Sequence, residues 1–239
     1  MRSAWIPVRF YPVFPGKRFG ETDAVINGSR TEHFALPGKE GLQAVSVNGR
    51  IGNVKWTVDD TDSLAVFYAA TMDPQEGVVV DNFSTRGSSG QQLRNIPYSI
   101  LADYNRLRTY DLIVLQYGLN VASEKGVNYS YYKDAMIKVV AHLKAAFPQA
   151  GILIVGVGDR ENKNENGDLR TMPGVKNLIR YQQALAAERR WHSGIFLKPW
   201  VAMEALSGWW RLSLRRPIWI THTSTSGEES TWPKSCLRH

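Results

Sequence analysis

The 239-residue sequence is poor in cysteine, in long apolar runs and, toward its end, in acidic residues. Its single cysteine, Cys236, allows no disulfide within the chain. One cysteine and scattered histidines give no metal-ligand spacing, so we predict neither a metal nor another cofactor. No apolar run approaches the roughly 18 residues of a membrane span, and the N-terminus lacks the apolar core of a secretory signal. Disulfide scaffolds, metal-site proteins and membrane-spanning proteins are therefore not expected.

Acidic residues thin out toward the C-terminus, and aspartate is absent after Asp168. From Arg189 onward the chain has eight basic and three acidic residues, so this part carries +5 of the net charge of +7. A basic tail is one way to bind nucleic acid. We do not predict a nucleic-acid partner, because a frameshift in the coding sequence, inferred from the codons below, also explains this basic tail.

The most informative part of the chain lies between Gly77 and Asn120. Val78–Val80 is a β-branched run without polar alternation, which is typical of a buried parallel strand. A small-residue loop at 83–90 follows, and then Gln91–Leu107 has the apolar spacing of a helix. Asp111–Gln116 is a second buried strand that ends in a loop. Because ligands of open α/β sheets bind at the carboxyl ends of the strands, both loops are predicted to face one crevice.

The chain from Asn120 to Glu188 continues this strand–helix alternation. Tyr129–Phe147 is predicted as an amphipathic helix, and Gly151–Val157 as a third buried strand. A polar loop over 158–171 is long enough to form a rim of the site. A further helix is predicted to begin near Pro173 and to run through Ala187. Such alternation predicts right-handed crossovers and a parallel sheet.

Residues 5–76 have the pattern of a β-rich module. Short alternating runs are separated by turn signals such as Asn27-Gly28 and Asn48-Gly49, which suggests a small antiparallel sandwich. Trp56, with Phe67 and Tyr68, could line a sugar-binding face. Core packing is the commoner use of aromatic residues in such strands.

Two short motifs resemble known sequence blocks. Asn82, the later Ser89-Gly90 pair, and Gly118-Leu119-Asn120 resemble the second and third blocks of the SGNH (GDSL-like) hydrolases. By that resemblance, the backbone N–H of Gly90 and the side-chain amide of Asn120 bind the oxyanion of an ester's tetrahedral intermediate. A glycine lets the backbone approach the reacting carbonyl, and an amide is a fixed donor where negative charge develops.

The resemblance also implies a fold and an activity. It implies an α/β, three-layer, flavodoxin-like domain with a parallel sheet, preceded by the β-rich module. The subgroup with such a module resembles peptidoglycan and polysaccharide O-acetylesterases. The implied partner is an acylated glycan or a small ester, and the implied location is the cell envelope, the periplasm or outside the cell. The alternative reading is a non-catalytic protein that binds glycans through residues 5–76.

Two blocks that such a hydrolase needs are not found. No Gly-Asp-Ser triplet occurs to supply the nucleophile, so Met1 is interpreted as an internal start. The Asp-x-x-His block is also absent, because the residue three before His222 is Trp219. His222 is a weak candidate for the base. Ser84, Ser88 and Ser89 are poor candidates for the nucleophile, since serines just before a helix usually cap it and no base is adjacent in sequence.

The codons offer an explanation for the missing base. Permitted codons for residues 219–226, read from the third base, give Asp-Tyr-Thr-His-Leu-Asn-Phe, which resembles the family's terminal block. The same offset turns residues 198–205 into Ala-Met-Gly-Ser-Asn-Gly-Gly, which is also similar to the family. We infer a frameshift between about Glu188 and Leu197. Sequencing the source DNA and an intact relative tests it.

The resulting predictions are specific. Residues 5–76 form a β-rich, carbohydrate-binding-like module, 77–197 a hydrolase-like α/β domain, and 198–239 an out-of-frame, poorly ordered tail. The chain is expected to be an ester hydrolase by descent, with Gly90 and Asn120 as oxyanion donors. Without a nucleophile block and a base, it is expected to have negligible activity.

Overall fold

The computed structural model describes residues 8–13, 19–38, 41–59, 66–73, 77–158, 160–163, 169–188, 194–197 and 218–222. Thirteen strands, three α-helices and one 3₁₀ helix lie within these ranges. They form one parallel sheet with helices, two antiparallel sheets of three strands each, and one small hairpin.

The centre of the molecule is a five-stranded parallel sheet. Its strands, in spatial order, are β12 (Gly194–Leu197), β9 (Gly151–Val155), β8 (Leu112–Gln116), β13 (Ile218–His222) and β7 (Val80–Asn82). Every neighbouring pair is parallel, so all five carboxyl ends meet at one edge of the sheet. The predicted parallel sheet is therefore confirmed.

The helices pack on one face of this sheet. They are α1 (Tyr98–Leu107), α2 (Ser130–Ala146) and α3 (Pro173–Ala186). Alternate strand residues, such as Ile113 and Ile152, share a large buried cluster with all three helices. The intervening residues, such as Val114 and Leu153, form a separate buried cluster on the opposite face. The described residues thus show two layers, and the third layer of the expected architecture stays a prediction.

Three segments differ from their sequence-based assignments. The buried strand expected at Val78–Val80 is instead β7, Val80–Asn82, at the edge of the sheet, and Val80 is 49% exposed, as is typical of an edge position. The single helix expected over Gln91–Leu107 is divided into a 3₁₀ helix, Gln91–Asn95, and α1. Pro97 explains the break, because a proline disfavours helical geometry at the preceding residue, and Ile96 is indeed extended with φ −67° and ψ 126°. The loop expected over 158–171 contains a hairpin of β10 (Glu161–Lys163) and β11 (Leu169–Thr171).

The N-terminal part forms two antiparallel sheets. One has the order β4 (Val45–Val47), β1 (Val8–Val13), β6 (Val66–Met72), and the other β3 (Arg30–Pro37), β2 (Phe19–Ile26), β5 (Val54–Asp59). β2 and β3 are joined by the Asn27-Gly28 turn, where both residues have positive φ, at 52° and 70°. A small core of Ala24, Ile26, Val47 and Ile51 includes residues of both sheets.

The β-rich and α/β parts are joined by the core and by a buried ion pair. Leu42 is fully buried and belongs to the large cluster between the parallel sheet and the helices. Arg108, whose side chain is 2% exposed, donates to Asp73 after β6 and to Asp81 in β7. The Tyr110 hydroxyl also donates to Asp81, at 2.7 Å. The division of the chain at residue 77 stays a prediction, and side-chain contacts cross that boundary.

The final strand comes from the part of the chain interpreted as an out-of-frame tail. β13 pairs with β8 over five residues and with β7 over three, so it lies inside the sheet. The rest of the expected tail, 198–217 and 223–239, lies outside the described residues.

Candidate active site

Gly90 ends the loop after β7 in a conformation that only glycine tolerates well. Its φ is +84°, in the left-handed region, and the residue is buried. A Cβ atom at this position would lie 2.6 Å from Cγ of Tyr117. The Gly90 backbone therefore packs directly against the Tyr117 ring, at the carboxyl end of β8.

Asn120 lies in the loop after β8 and meets the same short segment. Its Nδ2 donates to the carbonyl oxygen of Ser88 at 3.1 Å, and its side chain is exposed. The Gly90 N–H donates to the hydroxyl of Ser88 at 3.0 Å. Both proposed oxyanion donors thus bond to one residue, Ser88. The Ser88 hydroxyl also lies 3.3 Å from Oε1 of Gln92, to which it can donate its own proton.

A buried glutamine of α3 holds the start of the turn that contains Asn120. Gln182 of α3 is 3% exposed, donates from Nε2 to the Tyr117 carbonyl at 2.7 Å, and accepts from the Val157 N–H at 3.0 Å. One side chain therefore satisfies backbone groups at the ends of both β8 and β9. Gly118 has φ +119°, and a Cβ there would lie 3.0 Å from Nε2 of Gln182.

The loop that carries Gly90 is fixed by a buried tyrosine of α2. The Tyr132 hydroxyl donates to the Ser89 carbonyl at 3.1 Å, and the residue is 2% exposed. Burial raises the pKa of the Tyr132 phenol above its ordinary value, and the nearby Tyr117 and Tyr131 add to the rise. The phenol is therefore protonated at neutral pH and available as a donor.

His222 is the last residue of β13. Its backbone is in register with Gln116, the last residue of β8, so it lies at the edge of the sheet where the Gly90 and Asn120 loops begin. Ile220 is in register with Asn82 at the end of β7. The backbone therefore brings residue 222 to the same edge as the two proposed donors.

The other candidates lie elsewhere or have local partners. Trp56 is half-buried, 6.2 Å from the Phe34 ring between centroids, and packs against the small N-terminal core. The Ser89 hydroxyl accepts from Gln91 at 3.2 Å. His33 pairs with Asp23 at 2.6 Å, and His142 bonds to the Ile96 carbonyl at 2.8 Å. Trp56 thus has the packing of a core aromatic.

The proposed donors lie apart from one cavity of about 360 Å³. It is lined by residues 70–73, in and just after β6, and 78–81, in and just before β7, and includes no candidate site residue. The candidate site is therefore identified by its hydrogen-bond donors, the Gly90 N–H and the Asn120 amide, and not by a cavity. Within the described ranges no cluster of three metal-ligating side chains occurs, and no described helix has the length and hydropathy of a membrane span.

Sequence reasoning missed the residues that support the donors. Tyr132 and Gln182 have the helical spacing of the apolar stripes of α2 and α3, and this spacing predicts only that each is a core position. The signal was present in the residue type, because a glutamine or a tyrosine in a buried stripe needs a hydrogen-bond partner. Neither partner could be identified without the fold.

Comparisons with known proteins bear on the fold. No family model matches the chain, and no curated protein matches it. A solved peptidoglycan O-acetylesterase is similar over 87% of this chain and 56% of its own, with 16% identity and a TM-score of 0.60. Family two carbohydrate esterases from Cellvibrio japonicus and Clostridium thermocellum match at 12% and 9% identity, each with a TM-score of 0.31. They cover 95% and 93% of this chain and 80% and 81% of theirs.

The first of these similarities shows that the chain shares the fold of part of a solved peptidoglycan O-acetylesterase. At 16% identity this similarity concerns the fold alone. The TM-scores of the other two structures are too low to show a shared fold. The chain spans little more than half the length of the O-acetylesterase it matches.

Proposed function

We propose that the chain is an SGNH-type ester hydrolase by descent, whose Gly90 N–H and Asn120 amide form an oxyanion-binding site for O-acyl, and specifically O-acetyl, groups on glycans. The observation that carries the proposal is that both donors bond to the same residue, the Gly90 N–H to the Ser88 hydroxyl at 3.0 Å and the Asn120 amide to the Ser88 carbonyl at 3.1 Å. The two loops follow different strands of one parallel sheet, at the edge where such sheets bind ligands. The similarity in fold to a peptidoglycan O-acetylesterase supports the glycan ester as the substrate class.

The chemistry follows from what the two donors offer. When a nucleophile attacks an ester, the carbonyl oxygen gains negative charge, and fixed donors aimed at that oxygen lower the barrier. In this chain the Ser88 hydroxyl accepts from Gly90 and the Ser88 carbonyl accepts from Asn120, so a substrate oxygen competes with both. Displacing them costs one to two net hydrogen bonds, roughly 1–3 kcal/mol.

The same proposal includes negligible turnover. The chain has no Gly-Asp-Ser triplet and no Asp-x-x-His block, and a serine hydroxyl without an adjacent base is a weak nucleophile at neutral pH. We therefore expect no saturable hydrolysis of p-nitrophenyl acetate above the buffer rate. Saturable turnover that Asn120→Ala abolishes would contradict the catalytic incompleteness and support the site.

Binding of glycan fragments tests the substrate class. The chain is expected to bind O-acetylated fragments more tightly than the same fragments after chemical deacetylation, as measured by calorimetry. Asn120→Ala should remove this preference, and Asn95→Ala, which changes an exposed asparagine of the 3₁₀ helix, should keep it. Equal binding of both fragments, or a preference that Asn120→Ala leaves intact, would refute the proposal.

A further inference from the structure

The hydrogen bond of Tyr132 acts on the same peptide unit as the proposed donor. The carbonyl of Ser89 and the N–H of Gly90 belong to one planar group, whose atoms move together. The Tyr132 hydroxyl donates to that carbonyl at 3.1 Å, while the N–H donates to the Ser88 hydroxyl at 3.0 Å. The orientation of one end of the unit therefore determines the orientation of the other.

The geometry of a trans peptide makes this link directional. Its C=O and N–H point in opposite directions, and the described chain has no cis peptide bond. Tyr132 is 2% exposed on α2, so its hydroxyl holds the carbonyl toward the protein interior. The N–H is consequently directed away from α2. The Tyr117 ring, in contact with Gly90, limits movement of the unit as a whole.

We propose that Tyr132 is a positioning residue that orients and polarises the Ser89–Gly90 peptide, so that the Gly90 N–H is directed at the oxyanion. The inference rests on the proposed oxyanion role of Gly90. A hydrogen bond to a peptide carbonyl polarises the whole unit and makes its N–H a stronger donor. Tyr132 thus acts through Gly90 and does not touch the substrate.

The test is a comparison of two buried tyrosines three residues apart. Tyr132→Phe removes the bond to Ser89, whereas Tyr129→Phe removes a bond to the Ser123 N–H and leaves Ser89 untouched. Amide resonances of the ¹⁵N-labelled full chain are measured by NMR. In Tyr132→Phe we expect the Gly90 resonance to move and its hydrogen exchange to accelerate by about fivefold or more. In Tyr129→Phe we expect neither change.

A second variant keeps the test decisive if Tyr132→Phe does not fold. Incorporation of 3-fluorotyrosine at position 132 makes the phenol more acidic and a stronger donor, with almost no change in size. If Tyr132→Phe folds, the fluorinated chain should move the Gly90 resonance in the opposite direction. If Tyr132→Phe is unfolded, the fluorinated chain should show slower hydrogen exchange at Gly90 than the unmodified chain. An unchanged Gly90 amide in the fluorinated chain, or an equal change in Tyr129→Phe, would overturn the inference.

The outcome is separable from that of the proposed function. If Gly90 responds to residue 132 while Asn120→Ala leaves acetylated-glycan binding unchanged, the positioning stands and the oxyanion role fails. If Asn120→Ala removes the binding and Gly90 does not respond to residue 132, the site stands and the positioning by Tyr132 is refuted.

Discussion

At the scale of single residues, the loop after β7 contains a matched pair of glycines. Gly87 and Gly90 both have positive φ, at 78° and 84°, but a Cβ at Gly87 would meet nothing within 4 Å. Gly87→Ala should therefore lower the free energy of unfolding by about 1 kcal/mol, because alanine disfavours the left-handed conformation. Gly90→Ala has the same cost and also has to displace the Tyr117 ring, so it should lower the free energy of unfolding by about 2–4 kcal/mol in total.

Chemical denaturation of the two alanine variants measures this difference. Equal free energies of unfolding for Gly87→Ala and Gly90→Ala would show that the Tyr117 contact is absent in solution. The comparison isolates the contact, because both substitutions add the same methyl group to the same loop.

Two buried phenols predict how stability depends on pH. Burial raises the pKa of both Tyr110 and Tyr132 above the ordinary value, and Asp81 raises that of Tyr110 further. In the unfolded chain these phenols ionise near pH 10, while the folded chain keeps their protons. Above that pH the folded state therefore binds more protons, and the free energy of unfolding falls as pH rises.

Tyr110→Phe should flatten this alkaline decline, since it removes one of the shifted groups. Urea unfolding between pH 8 and pH 11 gives the slopes. A steeper fall of the free energy of unfolding with pH in Tyr110→Phe than in the parent chain would contradict the prediction.

At the scale of secondary-structure elements, α3 is tied to the ends of β8 and β9 by one side chain. Gln182→Leu should leave the Val157 N–H and the Tyr117 carbonyl buried without their partner, at a cost of about 2–4 kcal/mol. Gln183→Leu, at the exposed neighbouring position, should change stability by less than about 0.5 kcal/mol. A similar loss in both variants, measured by denaturation, would mean that the bridge does not form.

The elements differ in how well the sequence predicted them. α2 and α3 lie within a residue or two of the predicted bounds, because their apolar periods are long and Pro173 marks the start of α3. The helix expected at Gln91–Leu107 was divided because the effect of Pro97 on Ile96 outweighs the apolar spacing. β13 has no periodic signal, and its pairing partners are more than 100 residues away in sequence, so local pattern could not identify it.

The candidate site was predicted in part for the same physical reason. Gly90 lies in the loop after β7, which ends at Asn82, and Asn120 in the loop after β8, which ends at Gln116, so their placement at one edge follows from parallel pairing. Their supports, Tyr132 and Gln182, act from helices that the chain reaches later. Which backbone group each side chain meets depends on helix packing, and that information is not local in the sequence.

At the scale of the whole molecule, one buried arginine joins the N-terminal sheets to the parallel sheet. Arg108 binds Asp73 and Asp81 with its side chain 2% exposed, and the pKa of its guanidinium stays above the ordinary value because both carboxylates outweigh the burial. Arg108→Met should leave two largely buried carboxylates without a cation and lower the free energy of unfolding by about 3–5 kcal/mol.

Arg106→Met is the comparison variant, since Arg106 is 58% exposed, pairs with Asp103 at 3.1 Å on the same helix and donates to the Leu42 carbonyl at 3.3 Å. The loss of an exposed pair and one hydrogen bond should cost about 1–2 kcal/mol, less than the loss of Arg108. Because the core and the Arg108 pair cross the boundary at residue 77, the parent chain should unfold in one transition by fluorescence and by circular dichroism. Two separated transitions would show that the β-rich and α/β parts are independent.

The central claim is that the Gly90 N–H and the Asn120 amide form one oxyanion-binding site. Titration of methylphosphonate, a tetrahedral anion, into the ¹⁵N-labelled chain tests it most directly by NMR. The account predicts that the Gly90 amide and the Asn120 side-chain amide shift with a single dissociation constant, and that Ser88→Ala tightens binding up to about tenfold by freeing the Gly90 donor. Shifts at only one of the two groups, or at neither even in Ser88→Ala, would contradict it.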